Sequence, residues 1–422
     1  MQPGGPAAKV TMRVLFVTPT FPEPLDSGIR RRMAVSLREL AAAGDVTLLS
    51  LCRDSDDGTS RAGVLARCAD VITVPYAAGR PRPRDLRSRL RGLSEHLFDP
   101  RPLTTRLLDG APLHPILRGL RPESFDLVWV QSLGLYGQLR RYELSPVVVD
   151  VVDAESIKAA RDLRRRLWNP RFPLEALDLL KLQHAQRHWG ANRHWFIVCS
   201  ENDRNHLARK GDRIWVVRNG VELPAEIDGS AEEENALVYV GTFAYGPNRE
   251  GVLYFTREIL PLIGRYCPAV RFYIVGSSPP PEITSLHREP KVIVTGSVES
   301  VEPYLRRASV AVVPLLNAAG TRIKILEAMS YRKPVVATSI GAEGLAVEHG
   351  RNILLADTPQ QFASCCVELL RDASLRSRLG AAGRQFVEGR HRLEHAQTDL
   401  RRFLSHVLSF SFRDSSPLPL RV

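Results

Sequence analysis

The chain has 422 residues, which exceeds the size at which one hydrophobic core usually stops growing, so two domains are expected. Hydrophobic residues make up 44% and charged residues 25%, values that exclude a disordered or fibrous class. No run approaches the roughly 20 apolar residues of a membrane-spanning helix. The first residues also lack the apolar core of a secretory signal. We expect a cytoplasmic protein whose folded part begins near Met12, after a loose leader.

The net charge of +12 raises the question of a polyanionic partner. Much of the excess positive charge falls in two segments, 80–93 and 161–168. They could be solvated helix faces, or they could bind an anionic membrane surface. No nucleic acid partner is expected, because no helix-turn-helix, zinc-finger or RNA-binding aromatic motif accompanies the charge. The six cysteines lack ligand spacing, which favours small buried side chains in a reducing compartment.

Short apolar runs alternate with helical or irregular segments through the first half of the chain. The run 14–20, VLFVTPT, is too short for a buried helix and is predicted as a strand. A helix follows, with Met33, Leu37 and Leu40 at helical spacing until Gly44 ends it. Because parallel strands need crossover connections, the alternation predicts a parallel sheet covered by helices. Six further runs are predicted as its strands: VTLLSLC, VITVPY, FDLVWVQS, SPVVVDVVD, WFIVCS and IWVVRNG.

A polar, acidic stretch from Pro224 to Ala236 predicts a linker, after which the alternation restarts. We predict Rossmann-like domains at 12–222 and 236–390, a linker at 223–235, and a terminal helix at 391–410 that could pack back on the first domain. Two doubly wound α/β domains create a cleft between two carboxyl edges, where ligands of this fold class bind. The predicted strands of the second sheet are ALVYVG, VRFYIVG, KVIVTG, VAVVPLL, KPVVAT and NILLA.

The segment GTRIKILEAM lies between two of these strands and is predicted to start a helix near Thr321 or Arg322. A helix N-terminus exposes unpaired N–H groups and a partial positive charge, so it suits a phosphate. Gly320 lets the backbone come close, and Arg322 and Lys324 add cations. Glu327, placed on the first full turn, could accept hydrogen bonds from sugar hydroxyls, and a phosphate beside a diol indicates a nucleotide. The alternative is a surface capping arrangement in which Glu327 interacts with the helix dipole.

This segment, followed by KPVVAT and GAEG, resembles the donor-binding signature of GT-B fold retaining glycosyltransferases of the family-4 type. The pattern Tyr245-x-Pro247-Asn248 resembles the exopolysaccharide-type sugar transferases of that family. The resemblance covers most of the chain and is strongest from about 236 to 356. It implies two Rossmann-like domains facing across a cleft. It also implies sugar transfer from a nucleoside-diphosphate sugar to an acceptor hydroxyl, with retention and without a metal or a cofactor.

The resemblance also implies roles for individual residues. Glu327 would bind the ribose hydroxyls, while Lys324 and the amides around Ile323 would hold the diphosphate, with Arg322 as an additional cation. Gly28 matches a first-domain glycine loop that approaches the diphosphate across the cleft, although it could be a simple turn glycine. The remaining residues assigned to the donor site are Gly241, Arg249, Gly320 and Thr321.

Two departures concern the donor site. The family's second glutamate, which normally faces the donor sugar, is replaced by Ala319, so the sugar cannot be carried over. Where an arginine usually follows the glycine matching Gly241, this chain has Thr242. Arg249 could replace the lysine that is usual a few residues later, or it could lie on a solvated helix start.

The acceptor side also departs from the family pattern. Many members carry a histidine at the strand end where this chain has Gln131 and Ser132, so no general base is assigned there. Asp153, in VVDVVDAES, could orient or deprotonate an acceptor hydroxyl. Alternatively, it caps the following helix. The expected acceptor is a glycan, a lipid-linked molecule or a small molecule, and a peripheral position on the inner face of the membrane is left open.

Two other functions remain open on this scaffold. One is a nucleotide-sugar epimerase or hydrolase, which would need an acid–base set that the sequence does not reveal. The other is a non-catalytic nucleotide-sugar or polyanion-binding protein, which the missing glutamate at Ala319 and the basic charge make credible. The run DSDD near Asp54 resembles a metal motif but is interpreted as a polar loop. We therefore expect a metal-independent enzyme.

Overall fold

Two fully parallel β-sheets organise the chain, and each sheet has apolar layers on both faces. The computed structural model describes residues 12–52, 62–75, 86–108, 113–139, 142, 144, 146–165, 168–189, 194–208, 213–227, 232–288 and 290–414. The predicted α/β fold of two doubly wound domains is confirmed, and every predicted strand is present. The six cysteines are all free, and four of them are buried.

The first sheet reverses its strand order in the middle. Its strands are β1 (Met12–Thr18), β2 (Gly44–Cys52), β3 (Asp70–Pro75), β4 (Leu127–Gln131), β5 (Val147–Asp150), β6 (Trp195–Val198) and β7 (Ile214–Val216). Their spatial order is β3-β2-β1-β4-β5-β6-β7, with every neighbouring pair parallel. Chain connections leave β1 and β4 in opposite directions, so a crevice forms beyond their carboxyl ends.

The second sheet repeats this arrangement. Its strands are β8 (Ala236–Val240), β9 (Arg271–Val275), β10 (Val292–Gly296), β11 (Val310–Val313), β12 (Val335–Ala337) and β13 (Leu354–Leu355). They lie in the order β10-β9-β8-β11-β12-β13 and are again parallel. The equivalent crevice opens beyond the carboxyl ends of β8 and β11.

Helices fill the crossovers of both sheets. In the first domain they are α1 (Gly28–Ala43), α2 (Ala62–Leu65), α3 (Leu86–Phe98), α4 (Leu103–Arg106), α5 (Leu113–Leu120), α6 (Leu133–Leu139), α7 (Glu155–Arg165), α8 (Phe172–Trp189) and α9 (Glu201–Leu207). In the second they are α10 (Gly246–Tyr254), α11 (Leu260–Tyr266), α12 (Pro281–Thr284), α13 (Glu302–Arg307), α14 (Ile323–Ser330), α15 (Ser339–Ala342), α16 (Pro359–Arg371) and α17 (Ala373–Arg390). A 3₁₀ turn (Pro122–Ser124) precedes β4, and a π-helical segment (Phe255–Ile259) joins α10 to α11. None of the described helices is long and apolar enough to cross a membrane.

Burial on both faces explains why the strands are continuous apolar runs. In β1, Val14 and Phe16 belong to one core layer, while Leu15 and Val17 belong to the layer on the opposite face. Successive side chains of a strand point to opposite faces, so a sheet covered on both sides needs apolar residues at every position. The sequence therefore indicated the sheet without any period-two pattern.

The last helix, α18 (Leu393–Asp414), returns to the first domain. Its Phe403 ring lies 6.2 Å from Trp129, 6.1 Å from Trp195 and 5.6 Å from Trp215. Arg401 of α18 pairs with Glu39 of α1 at 2.6 Å. The chain therefore crosses between the domains twice.

The two crossings run side by side. The Val221 N–H donates to the His391 carbonyl at 2.9 Å, and the Leu393 N–H donates to the Val221 carbonyl at 3.0 Å. The acidic stretch after the first crossing is attached to the second domain, because Glu232 pairs with Lys333 at 3.1 Å and with Arg376 at 3.2 Å. The free change of direction is therefore confined to the paired segments around Val221 and His391.

Arginines of segment 161–168 join the domains. Arg161 of α7 pairs with Glu343 of the second domain at 2.5 and 2.7 Å and donates to the Ala318 carbonyl at 2.9 Å. Arg165 pairs with Glu250 of α10 at 2.8 Å. These side chains are therefore committed to an interdomain contact, whereas the sequence suggested a solvated face or a membrane surface. Much of the other basic segment, 80–93, lies outside the described residues.

A glycine makes the closest approach between the domains. Gly320 has a φ of +75°, which side chains rarely tolerate. A Cβ there would lie 2.5 Å from the Asp153 carboxylate and 2.7 Å from the Val152 carbonyl, both in the first domain. Only a residue without a Cβ lets the two carboxyl edges meet at this distance.

We expect Gly320→Ala to destabilise the protein more than Gly350→Ala does. Gly350 also has a φ of +75°, but nothing lies within 4 Å of a Cβ built on it. Both variants pay the strain of a left-handed alanine, roughly 1 kcal/mol. The steric conflict with Asp153 and Val152 should cost Gly320→Ala about 2 kcal/mol more in free energy of unfolding. Urea denaturation of both variants measures this difference, and equal losses would contradict the contact.

Candidate active site

The N-terminus of α14 faces the cleft with unpaired amides. The helix starts at Ile323, with Arg322 as an N-cap residue that makes no side-chain capping bond. Among the described residues, the N–H groups of Ile323 and Lys324 have no hydrogen-bond acceptor. The helix thus begins slightly later than predicted, and Glu327, its fifth residue, lies just beyond the first turn. A dipole interaction fades there, so the capping alternative loses its support.

Arg322 supports the loop before α14. Its Nη1 donates to the carbonyls of Ala319 and Gly320, the latter at 2.7 Å, and its Nη2 donates to the Ile340 carbonyl at 3.4 Å. The Nε is buried and has no partner within the described part of the chain. Arg322 therefore holds the loop and keeps one N–H in reserve.

Lys324 lies in a polar niche of the second domain. Its Nζ donates to the Tyr239 hydroxyl at 2.7 Å and to Asn248 Oδ1 at 2.9 Å, and it lies 4.2 Å from the centre of the Tyr239 ring. A Cβ at Gly241 would lie only 2.6 Å from this Nζ, so the glycine makes room for the lysine. Burial, aided by the Arg322 charge, lowers the pKa of Lys324 to about 7. Its charge at neutral pH therefore depends on what binds beside it.

Arg249 lies on the first turns of α10, next to Asn248. Asn248 is fixed by the Tyr239 hydroxyl and by the Thr242 carbonyl, each at 2.7 Å. Arg249 is half-buried, and in the described ranges it forms no hydrogen bond or ion pair. Its proximity to the Lys324 niche makes it an available cation, and whether it replaces the family's lysine stays a prediction.

The N-terminus of α1 approaches α14 from the first domain. Gly28 is the first residue of α1, and a Cβ on it would lie 3.4 Å from Ile323 Cδ1. The N-cap residue Ser27 makes no side-chain capping bond, and the first turn contains no acidic residue. Two uncapped helix N-termini therefore meet across the cleft. Both present partial positive charge to the same space.

Arg31, one turn along α1, pairs with Glu327 across this junction. Burial raises the pKa of Glu327, and the Arg31 guanidinium opposes that rise. The Arg31 Nε donates to the Leu25 carbonyl at 3.1 Å. A cleft with about 340 Å³ of empty space lies beside the pair, lined in part by Arg31, Asn219 and Ile323. The sequence analysis missed Arg31, because its only signal was a run of three arginines after Gly28.

Asp153 lies at the first-domain side of the junction, against Gly320. Burial raises the pKa of Asp153 to about 6, an effect that the Arg322 charge reduces and the Asp203 charge increases. The Glu155 N–H bonds to the Asp153 backbone carbonyl at 2.9 Å, and no capping bond to the Asp153 carboxylate occurs among the described residues. The carboxylate is therefore available to the cleft, which favours the acceptor-side interpretation over capping.

Gln131 belongs to a buried network at the ends of β4 and β5. It donates to Asp150 at 3.0 Å, and Asp150 also accepts from Arg32 Nε at 2.8 and 2.9 Å. Burial raises the pKa of Asp150, while Arg32 and Gln131 oppose that rise. Gln131 thus orients a buried ion pair, a role that the sequence could not reveal.

The Thr321 hydroxyl is already engaged. It accepts a hydrogen bond from Asn219 Nδ2 at 2.7 Å, and Asn219 lies on the first crossing between the domains. The Thr321 side chain therefore links the donor loop to the interdomain crossing. All the predicted site residues line this one junction, although none of their roles is tested by the geometry alone.

No group of three or more His, Cys, Asp or Glu side chains suited to a metal occurs in the described part of the chain. The DSDD run near Asp54 lies outside the described residues. Metal independence stays a prediction on which this finding does not decide.

Residues 234–372 match a protein-family model described as Glycosyl transferases group 1. The matched stretch contains β8, α10 and α14, and therefore the niche of Lys324 and the position of Glu327. This assigns the second domain to the group 1 glycosyl transferases, as the resemblance of the donor signature predicted. The retaining, family-4 detail stays a prediction.

Two curated relatives match shorter stretches. An uncharacterized 44.6 kDa protein in the cps region of Klebsiella pneumoniae is 24% identical over 146 residues, which cover 33% of this chain and 38% of that protein. An uncharacterized glycosyltransferase of Methanocaldococcus jannaschii is 35% identical over 92 residues, which cover 21% of this chain and 26% of that protein. The chain thus matches well under half the length of either relative.

A solved structure shares the fold of nearly the whole chain. The crystal structure of Anabaena Alr3699/HepE in complex with UDP-glucose superposes with a TM-score of 0.63 at 15% identity, covering 94% of this chain and 100% of that chain. At this identity the likeness shows the fold alone. It confirms the predicted GT-B arrangement of two Rossmann-like domains.

We expect donor binding to strengthen as the pH falls from 8 to 6. A diphosphate favours the ammonium form of Lys324, whose pKa is about 7 in the free protein. The bound lysine should therefore take up a proton, and the affinity should rise by about tenfold over this range. Calorimetric titration with a nucleoside-diphosphate sugar measures it, since phosphodiester groups do not titrate near neutral pH. The Lys324→Met variant should lose the dependence, and a wild-type affinity that is equal at both pH values would contradict the prediction.

Proposed function

Because its second domain belongs to the group 1 glycosyl transferases and its whole chain has the GT-B fold, we propose that this protein is a sugar transferase. The donor is a nucleoside-diphosphate sugar and the acceptor group is a hydroxyl. One observation carries the proposal: two uncapped helix N-termini meet at the Gly28–Ile323 contact, with Lys324 and Glu327 beside them. This arrangement suits a diphosphate attached to a ribose.

The diphosphate would lie against the N-terminus of α14. The amides of Ile323 and Lys324 donate to its oxygens, and the Lys324 ammonium adds charge. Glu327, further along the same helix, accepts from the ribose hydroxyls. The Anabaena neighbour, whose structure contains UDP-glucose, supports a nucleotide of this class.

Sugar transfer needs stabilisation of the charge that builds on the departing diphosphate. Preorganised N–H groups and cations supply it without reorganisation, and removing one such contact typically costs about 3 kcal/mol of barrier. Lys324, Arg322 Nε and Arg249 are the side chains placed for this task. We propose that they neutralise the leaving group in place of a divalent cation. We further propose that the transfer proceeds with retention, the leaving diphosphate assisting the hydroxyl on the same face.

Asp153 is the proposed acceptor-side residue. With a pKa of about 6 it is mostly ionised at neutral pH, and it lies against the donor loop at Gly320. It can therefore accept a hydrogen bond from the attacking hydroxyl and orient it. Ala319 stands where a carboxylate usually faces the donor sugar, so sugar recognition relies on other groups here.

For the acceptor we propose a lipid-linked molecule at an anionic membrane surface. Trp168 is 99% exposed and Phe98 is 84% exposed. Leu180 of α8 is also exposed, and α8 packs against both α3 and α7. The exposed Arg87 and Arg164 lie on these two helices. An apolar patch on basic helices suits the interface of anionic lipids, and this protein would bind there peripherally from the cytoplasm.

The donor site is tested by titrating UDP, GDP and dTDP into wild type and the Glu327→Ala variant. One nucleotide should bind wild type, and the variant should bind it about tenfold more weakly because a charged hydrogen bond to the ribose is lost. Glu368→Ala, which removes an exposed acid of α16, is the matched control. Absence of binding to wild type for all three nucleotides would refute the donor site.

Turnover with the matching nucleotide sugar separates the remaining alternatives. Sugar release without acceptor would favour the hydrolase, and binding without turnover in any acceptor mixture would favour the non-catalytic protein.

Vesicle sedimentation tests the membrane surface. Wild type should sediment with anionic vesicles and not with neutral phosphatidylcholine vesicles. Phe98→Ala should weaken binding about tenfold through lost apolar burial. Tyr266→Ala is the control, since Tyr266 is 62% exposed on the other domain. Equal binding to both vesicle types would remove this part of the proposal.

A further inference from the structure

Arg31 occupies the donor site in the structure, because its guanidinium is paired with Glu327. Glu327 is the group proposed to bind ribose hydroxyls. A ribose can use both carboxylate oxygens only when the arginine withdraws. Donor binding and the interdomain ion pair therefore compete for the same carboxylate.

The arginine has a second destination close by. Arg31 lies three residues after Gly28, so both are on the same face of α1. Gly28 faces Ile323, the first residue of α14, where the diphosphate is proposed to bind. Long side chains of a helix lean towards its N-terminus, which directs the Arg31 guanidinium to this point.

Only the end of the side chain needs to move. The Arg31 Nε is held by the Leu25 carbonyl at 3.1 Å, which fixes the stem. Arg31 is also partly exposed, with 34% of its side chain accessible, whereas Glu327 is 13% accessible. The Nη groups can therefore exchange one anionic partner for another without unpacking α1.

Resting on the donor site proposed above, we propose that Arg31 is a donor-binding residue that exchanges partners. It neutralises Glu327 in the empty site and moves to the diphosphate when ribose takes Glu327. A nucleotide with both parts satisfies both groups, whereas a nucleoside alone or a pyrophosphate alone leaves one of them unpaired. Arg31 thereby favours complete nucleoside diphosphates over their fragments.

The exchange predicts opposite effects on two fragments, measured by calorimetry with the nucleoside of the matching base and with pyrophosphate. In Arg31→Ala, the nucleoside should bind about threefold more tightly, because it no longer displaces an ion pair. Pyrophosphate should bind about tenfold more weakly, because a charged donor is lost. Arg38→Ala, an exposed arginine on the same helix, should change neither affinity.

A second comparison separates exchange from a structural role. Glu327→Ala releases Arg31, so pyrophosphate should bind this variant about threefold more tightly than wild type. The gain should vanish when Glu327→Ala is made in the Arg31→Ala background. A gain that persists there would mean that removing the negative charge alone explains it, and the exchange would be wrong.

Failure of the inference and failure of the donor site are distinguishable. If wild type binds neither nucleotide nor fragment, the donor site itself is absent. If wild type binds the nucleotide and Arg31→Ala binds both fragments as wild type does, the donor site stands and the exchange is refuted. Weakening of both fragments in Arg31→Ala, with an unchanged unfolding transition, would also refute it.

Discussion

The close contact between the donor loop and the end of β5 is the constraint on which the other features of the cleft depend. Gly320 approaches Asp153 and Val152 at distances that exclude a Cβ. This contact brings the carboxyl edges of two sheets together, where doubly wound folds bind ligands. The meeting of α1 with α14, the Arg31–Glu327 pair and the Arg161–Glu343 pair all span the same junction.

The junction contains more positive than negative groups in close quarters. Two helix N-termini, Arg322, Lys324 and Arg31 face a space in which Glu327 and Asp153 are the nearby acids. Burying unpaired charge is costly, and the protein limits the cost in three ways. Arg322 donates to loop carbonyls, Arg31 pairs with Glu327, and Lys324 has a pKa near neutrality. Each of these compensations can be reversed when an anion arrives.

The departures from the family pattern have structural counterparts. Ala319 is buried and its carbonyl accepts a hydrogen bond from Arg322, so this part of the loop contributes backbone rather than a carboxylate. At the strand end that usually carries a histidine, Gln131 orients the Arg32–Asp150 pair. The chain has thus placed polar support where other members are expected to place reactive side chains.

Local sequence determined the strands, the order of helices and strands, and the fold class, because continuous apolar runs between helical segments specify parallel sheets. It also indicated a phosphate-binding helix at GTRIKILEAM, since Gly320 and the following cations are read from adjacent positions. Only the tertiary structure decided that Arg31 faces Glu327, that Arg161 and Arg165 join the domains, and that α18 packs on the first domain. These contacts join residues far apart in sequence, so they depend on the relative orientation of two domains. No local period or spacing encodes that orientation.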